Sequence, residues 1–239
     1  MTELIIAQEH SQLYDLWIQN GEKDLSICHV DFHDDMRGLL INRKYGTAQF
    51  VSRHIPYIHM RDPGSFLSHA IMEGIVTKLR WVHDEHGGRE YDSPVVKYES
   101  DLTAMPYLLL PAKKVKIQFS EHTFKDWGGV QSGEHLDIDW DGIAFPDYDL
   151  PHIRALMSEI LDRNYPADMP RVYLVLSPDY CHPDMKLFDE FLHLLEKKFN
   201  TTAKHLPKYQ PVPEISKFWM LYRKIDTRAE RLIRKFRFY

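Results

Sequence analysis

The chain has 239 residues, 44% of them hydrophobic, which is enough to enclose a sizeable core. A formal net charge of -5 excludes the basic balance of a typical nucleic-acid binder. No uninterrupted apolar run is long enough to span a bilayer. The two cysteines, Cys28 and Cys181, form no disulfide framework and suit a reducing compartment. With no signal-peptide pattern at the N-terminus, the expectation is a cytoplasmic protein with one domain over residues 1–239.

In chain order, Leu4-Ile5-Ile6-Ala7 predicts a first strand, which runs into Gln8-Glu9-His10. Ser11 suits a helix N-cap, and Leu13, Leu16 and Trp17 follow at helical spacing. Residues 25–30 predict a second strand that ends in Asp31-Phe32-His33-Asp34-Asp35. From Leu39 to Ile58 the pattern is mixed and loop-like. Asp62-Pro63-Gly64-Ser65 predicts a turn and a helix start; Phe66, Leu67, Ala70, Ile71, Ile75 and Val76 then trace a helical apolar stripe. Lys78 to His83 reads as the next strand. Residues 84–112 form a long, largely polar connection with Pro94, Pro106 and Pro111; a connection of that length is uncommon unless functional, and the two readings are a cover over a site and a surface excursion.

Val115 to Phe119 predicts another strand, and a loop through Trp127-Gly128-Gly129 leads to a further strand at His135. Residues 151–163 read as a helix with Pro151 in its first turn. Val172 to Leu176 is a buried strand ending in Ser177-Pro178-Asp179-Tyr180, and residues 184–199 are an amphipathic helix. Pro207, Pro211 and Pro213 mark a loop before a basic helix at 214–237. Strands that are short and apolar, alternating with helices, predict an α/β fold: three layers, α/β/α, around a mainly parallel sheet. Such sheets bind ligands at the carboxyl ends of their strands.

Those ends carry the charge. A strand end does not hold Asp31, His33, Asp34 and Asp35 away from water unless something offsets them. Imidazole nitrogen with carboxylate oxygen is a common ligand mixture for a divalent metal. Asp31, His33 and Asp35 alternate, so an extended backbone would put all three on one face. The design repeats in His135-Leu136-Asp137-Ile138-Asp139-Trp140-Asp141, where acids alternate with apolar residues. His10 also follows a strand, and all these residues fall at predicted carboxyl ends, which implies one shared site.

Asp31-Phe32-His33-Asp34-Asp35 resembles the Asp-x-His-x-Asp motif of the arginase superfamily of ureohydrolases, and Asp137-Ile138-Asp139 is similar to that superfamily's Asp-x-Asp strand end. His10 resembles its first metal-binding His in placement. Ile5 to His10 and His29 to His33 look most like a branch of short members that includes peptide arginases, which convert arginine side chains in ribosomally made peptides to ornithine. The resemblance implies two Mn²⁺ ions, one held by His10, Asp31, Asp35 and Asp137, the other by Asp31, His33, Asp137 and Asp139, with Asp31 and Asp137 bridging. Asp139 and His33 thereby become catalytic candidates. His54, His69 and His83 are candidates for the family's proton-shuttling His, with His83 preferred. Asp179 is the candidate for gripping the guanidinium. Arg37 stands where arginases place an Asn that reads the free amino acid, and this favours arginine within a peptide as substrate. The chain departs from the family where Gln8-Glu9 precede His10 and Trp140-Asp141-Gly142 follow the Asp-x-Asp.

Competing expectations are a ureohydrolase of a small guanidino compound, a zinc deacetylase-like amidohydrolase and a non-catalytic, metal-stabilised binding module. No His-His dipeptide of the deacetylase kind occurs. The basic terminal helix reads as a solvated face over a packed stripe, with a contact to an acidic peptide or a second subunit of a homo-oligomer as the alternative. The partners expected are thus an arginine-containing peptide, with no nucleic acid and no membrane.

Overall fold

The computed structural model describes residues 2–36, 39–50, 63–84 and 114–208. Seven strands form one parallel sheet: β1 (Glu3–Ala7), β2 (Leu25–Val30), β5 (Val76–His83), β7 (Gln118–Thr123), β8 (His135–Asp139), β9 (Arg171–Val175) and β10 (Lys204–His205). Their spatial order is β10-β1-β9-β8-β2-β5-β7. A small antiparallel sheet joins β3 (Leu39–Asn42), β4 (Thr47–Phe50) and β6 (Val115–Lys116).

Strand alternation sorts the core into two halves. Ile5, Ala7, Ile27, Leu79, Tyr173 and Val175 face α1 (Ser11–Gln19) and α2 (Phe66–Met72) through Leu13, Trp17, Phe66 and Ile71. Leu4, Ile6, Cys28, Leu136, Ile138, Val172 and Leu174 face α3 (Leu150–Asp162) and α4 (Met185–Phe199) through Leu156, Ile160, Phe188 and Phe191. The result is the three-layer α/β/α arrangement expected. No helix among the described residues is long and apolar enough to cross a membrane.

From β2 the chain moves outward through β5 to β7, then returns to the other side of β2 and continues through β8 to β9. The order therefore reverses between β2 and β8, and an open parallel sheet forms its ligand crevice at the carboxyl ends flanking such a reversal.

Several local expectations need correcting. His10, in helical conformation and without a side-chain cap, holds the N-cap position expected for Ser11. The stretch expected to be loop-like from Leu39 contains the β3–β4 hairpin, closed by a turn in which Gly46 has φ +57°. Helix α2 stops at Met72, Gly74 turns the chain with φ +72°, and β5 begins at Val76, so Ile75 and Val76 do not belong to a helical stripe. The strand expected over Val115–Phe119 is divided at Ile117 between the two sheets. The proposed connection beyond Asp84 to residue 112, the basic helix at 214–237, Arg37 and His54 lie outside the described residues.

Candidate metal centre

Strand β8 sets the first half of the site. Because Leu136 and Ile138 pack towards α3 and α4, Asp137 and Asp139 project to the opposite face. The register places His29 of β2 opposite Asp137, with its Nδ1 2.9 Å from Asp137 Oδ2. Its other ring nitrogen, Nε2, lies 3.0 Å from Asp31 Oδ2, so the ring spans the two carboxylates.

The second half is not extended. The β2 strand stops at Val30, and the next five residues bend. Asp31 Oδ1 accepts the backbone N–H of His33 at 2.8 Å, and Asp34 Oδ1 accepts that of Met36 at 3.0 Å. These Asx turns compete with a ladder, so Asp31, His33 and Asp35 are gathered by a coil and not by one face of a strand. Asp35 takes a left-handed backbone, φ +48°, a conformation non-glycine residues hold only when their surroundings impose it. Trp81 Nε1 donates to the Asp31 carbonyl at 3.0 Å and anchors the start of the coil.

The two halves touch through backbone. A Cβ on Gly142, in the turn after β8, would lie 2.6 Å from Asp31 Cα. His10 enters from the β1–α1 turn, its ring stacked on buried Phe66 with centroids 4.6 Å apart. Its Nδ1 lies 2.9 Å from Asp35 Oδ2, 3.1 Å from Asp139 Oδ2 and 3.9 Å from Asp31 Oδ2, while Nε2 is 3.4 Å from Asp137 Oδ1. His33 is the solvent-facing member, its Nδ1 3.2 Å from Asp141 Oδ2. Ser177, at φ +44°, donates its hydroxyl to Asp139 Oδ2 at 2.7 Å.

Three overlapping groups of ligating atoms result, each within 4.8 Å across: His10, Asp31, Asp35 and Asp139; His10, His29 and Asp137; Asp31, His33 and Asp141. These buried groups could hold a metal ion, and the donor chemistry fits one. Close as the oxygens are, among the described residues neither ring nitrogen of His10 makes a directed hydrogen bond, and His29 Nε2, Asp31 Oδ2, Asp137 Oδ1 and Asp141 Oδ1 are also buried without one. Such atoms face a shared point as ligands do, and leaving them so costs several kcal/mol, on the order of 1–3 per group.

The electrostatics agree. Burial, then the carboxylates of Asp141, Asp35 and Asp139, push the Asp31 carboxyl well above its usual range. Burial works against charge on His10, yet Asp137 and Asp139 hold its pKa well above the ordinary value. The same contest at His33, won by Asp141, ends at about 8. Asp137, though buried, is held low by His10 and then His29. Glu9, beside His10, is pushed up to about 7, by burial first and then by Asp139. The cluster is a sink for positive charge.

The structure thus brings His10, Asp31, Asp35 and Asp139 together in one group, links Asp137 to it through His10, and links His33, on the open side, through Asp31. His83 closes β5 outside these groups: its Nδ1 lies 2.7 Å from the Asp84 carbonyl and its Nε2 3.3 Å from Glu121. Asp179 is exposed at the rim. His69 is buried in α2, its ring 5.5 Å from that of Phe50. Sequence reasoning assigned no part to His29 or Glu9, and placed Asp141 on the shared acidic face without a ligand role. The parity of His29 with Asp31 was a usable signal for the first, as was that of Asp141 with Asp137 and Asp139 for the last. Scanned against models of known protein families, and separately against curated protein sequences, the chain matches none.

Proposed function

We propose that the chain is a manganese-dependent hydrolase that converts arginine residues of a peptide to ornithine and urea. The observation that carries this reading is that His10, Asp31, Asp35, Asp137 and Asp139, from three separate strand ends, fall into overlapping groups of ligating atoms that share His10 at the sheet's reversal. The resemblance of the same residues to ureohydrolase motifs supplies the reaction class.

In this reading His10, Asp31, Asp35 and Asp137 would hold one ion and Asp31, His33, Asp137 and Asp139 the other, with Asp31 and Asp137 shared. When bound, two divalent cations lower the pKa of water so that it becomes nucleophilic near neutral pH. The remaining work falls to the chain's own groups. Asp141, 3.2 Å from His33 Nδ1, restrains that ring, and His29 does the same for the Asp137 carboxylate. Ser177 holds Asp139. Phe66 keeps water from the far side of His10. The reaction forms one bond, from the water oxygen to the guanidinium carbon, and breaks the bond from that carbon to the side-chain nitrogen. The leaving amine takes a proton and departs as ammonium, and the carbon leaves as urea.

The test is mass spectrometry and urea release with Mn²⁺-loaded protein, comparing kcat/KM for free arginine and for an arginine peptide blocked at both ends. The expected result is conversion to ornithine with the peptide preferred. Preference for free arginine would overturn the peptide assignment, and absence of urea would overturn the reaction.

A further inference from the structure

We infer that Glu9 is the carboxylate that reads the positive charge of the incoming guanidinium, an assignment that rests on the hydrolase reading above. Glu9 lies two residues beyond β1, and only 6% of its surface is exposed. Its Oε2 is fully buried and has no hydrogen-bond partner among the described residues. A buried carboxylate without a partner is costly, so a site that keeps one has a cationic occupant to offer it.

Among the described residues no side chain supplies that occupant. The charged groups acting on Glu9 are Asp139, His10, Asp179 and Asp35, three of them acids. Nor does Glu9 belong to any of the three groups of ligating atoms, so it stands beside the metal positions and outside them. A cation from solvent would answer it, and further acids stand near. The end of β9 is hooked to the end of β1 by the Ser177 N–H, which donates to the Gln8 carbonyl at 3.0 Å. Asp179, two residues beyond that hook, is exposed, while Glu9 and Asp139 are buried. Asp139 and Asp179 both act electrostatically on Glu9, so a cationic side chain seated there would meet more than one carboxylate.

The turn that carries Glu9 is rigid. Gln12 Oε1 accepts the backbone N–H groups of Gln8 at 2.7 Å and Glu9 at 3.1 Å, while its amide donates to the Pro207 carbonyl at 2.6 Å. A fixed carboxylate matches a planar guanidinium, which can offer it two parallel N–H donors. It discriminates against neutral side chains, because their entry would leave Glu9 buried and unpaired.

The test compares initial rates for wild type, Glu9→Gln and Glu9→Asp on a blocked arginine peptide, with bound manganese counted in the same samples. Glu9→Gln should raise KM about 10- to 100-fold, the worth of one hydrogen bond to a charged group. The metal count should be unchanged and kcat should fall by less than KM rises. Glu9→Asp, which keeps the charge, should recover part of the loss. A KM within twofold of wild type in Glu9→Gln, loss of metal from it, or a Glu9→Asp no better than Glu9→Gln overturns the inference and leaves the hydrolase standing. A wild type that releases no urea brings down both.

Discussion

Two clusters of buried charge sit in the same sheet and behave differently. Arg80 of β5 and Glu134, just before β8, are paired: Arg80 Nε donates to Glu134 Oε1 at 2.9 Å and Nη2 donates to Oε2. The surplus is also matched, since Arg80 Nη2 donates to the Gly129 carbonyl at 2.7 Å and the Gln131 N–H donates to Glu134 Oε2 at 2.8 Å. Burial opposes the charge on Glu134, yet Arg80 holds its carboxyl below the usual range. Asp31 is equally buried and its carboxyl is driven the other way by neighbouring acids. One cluster closes its own electrostatics and holds the structure together. The other is left with undirected donors and acceptors, which is the condition of a site built for something the chain does not contain.

The difference can be broken most sharply at Glu134. Glu134→Ala strands Arg80 as an uncompensated buried cation and should cost about 3–5 kcal/mol in denaturant unfolding. The folded fraction should bind as much manganese as wild type, and a parallel loss of metal would merge the two clusters into one system. Asp31→Asn should reverse that pattern. Manganese affinity, measured by calorimetry, should fall more than about 100-fold, beyond what an outer-shell change costs. The metal-free protein should be no less stable than wild type, because one of several mutually repelling acids has gone. A marked drop in metal-free stability would mean that this cluster also balances itself. The smallest effects belong to the residues that orient others: His29→Asn and Asp141→Asn should each weaken manganese binding about 10-fold, with the fold intact by circular dichroism. Unchanged affinity in both would remove them from the centre.

The sequence made the central strands legible because β2 and β8 each join a short apolar run to a charged end. It also marked the acids, since alternation across β8 fixes the face of Asp137 and Asp139. It failed where local pattern and tertiary context part company. β3 and β4 are four residues each, too short for alternation to register, and they exist because β6 supplies a partner from far along the chain. Ile71 to Val76 is apolar in either period, so only Gly74 could have divided helix from strand. His29 looked like interior strand, and its contact with Asp137 depends on which strand lies beside β2. That neighbour is 108 residues away in the chain. Glu9 was visible as a departure from a motif, but its burial was not.

Gly142 gives the site a dimension that no side chain sets. Its lone hydrogen faces the Asp31 backbone, where a methyl group would sit 2.6 Å from a carbon atom. Ligand positions in a working centre tolerate errors of about 0.5 Å, and relieving that contact to an ordinary van der Waals separation would move one segment by more than this. The gap between the two acid-bearing segments is therefore gauged by the smallest spacer a peptide offers. A variant library of this region could exchange carboxylates and imidazoles in search of other metals, but it would have to keep position 142 bare for the new ligands to meet at all.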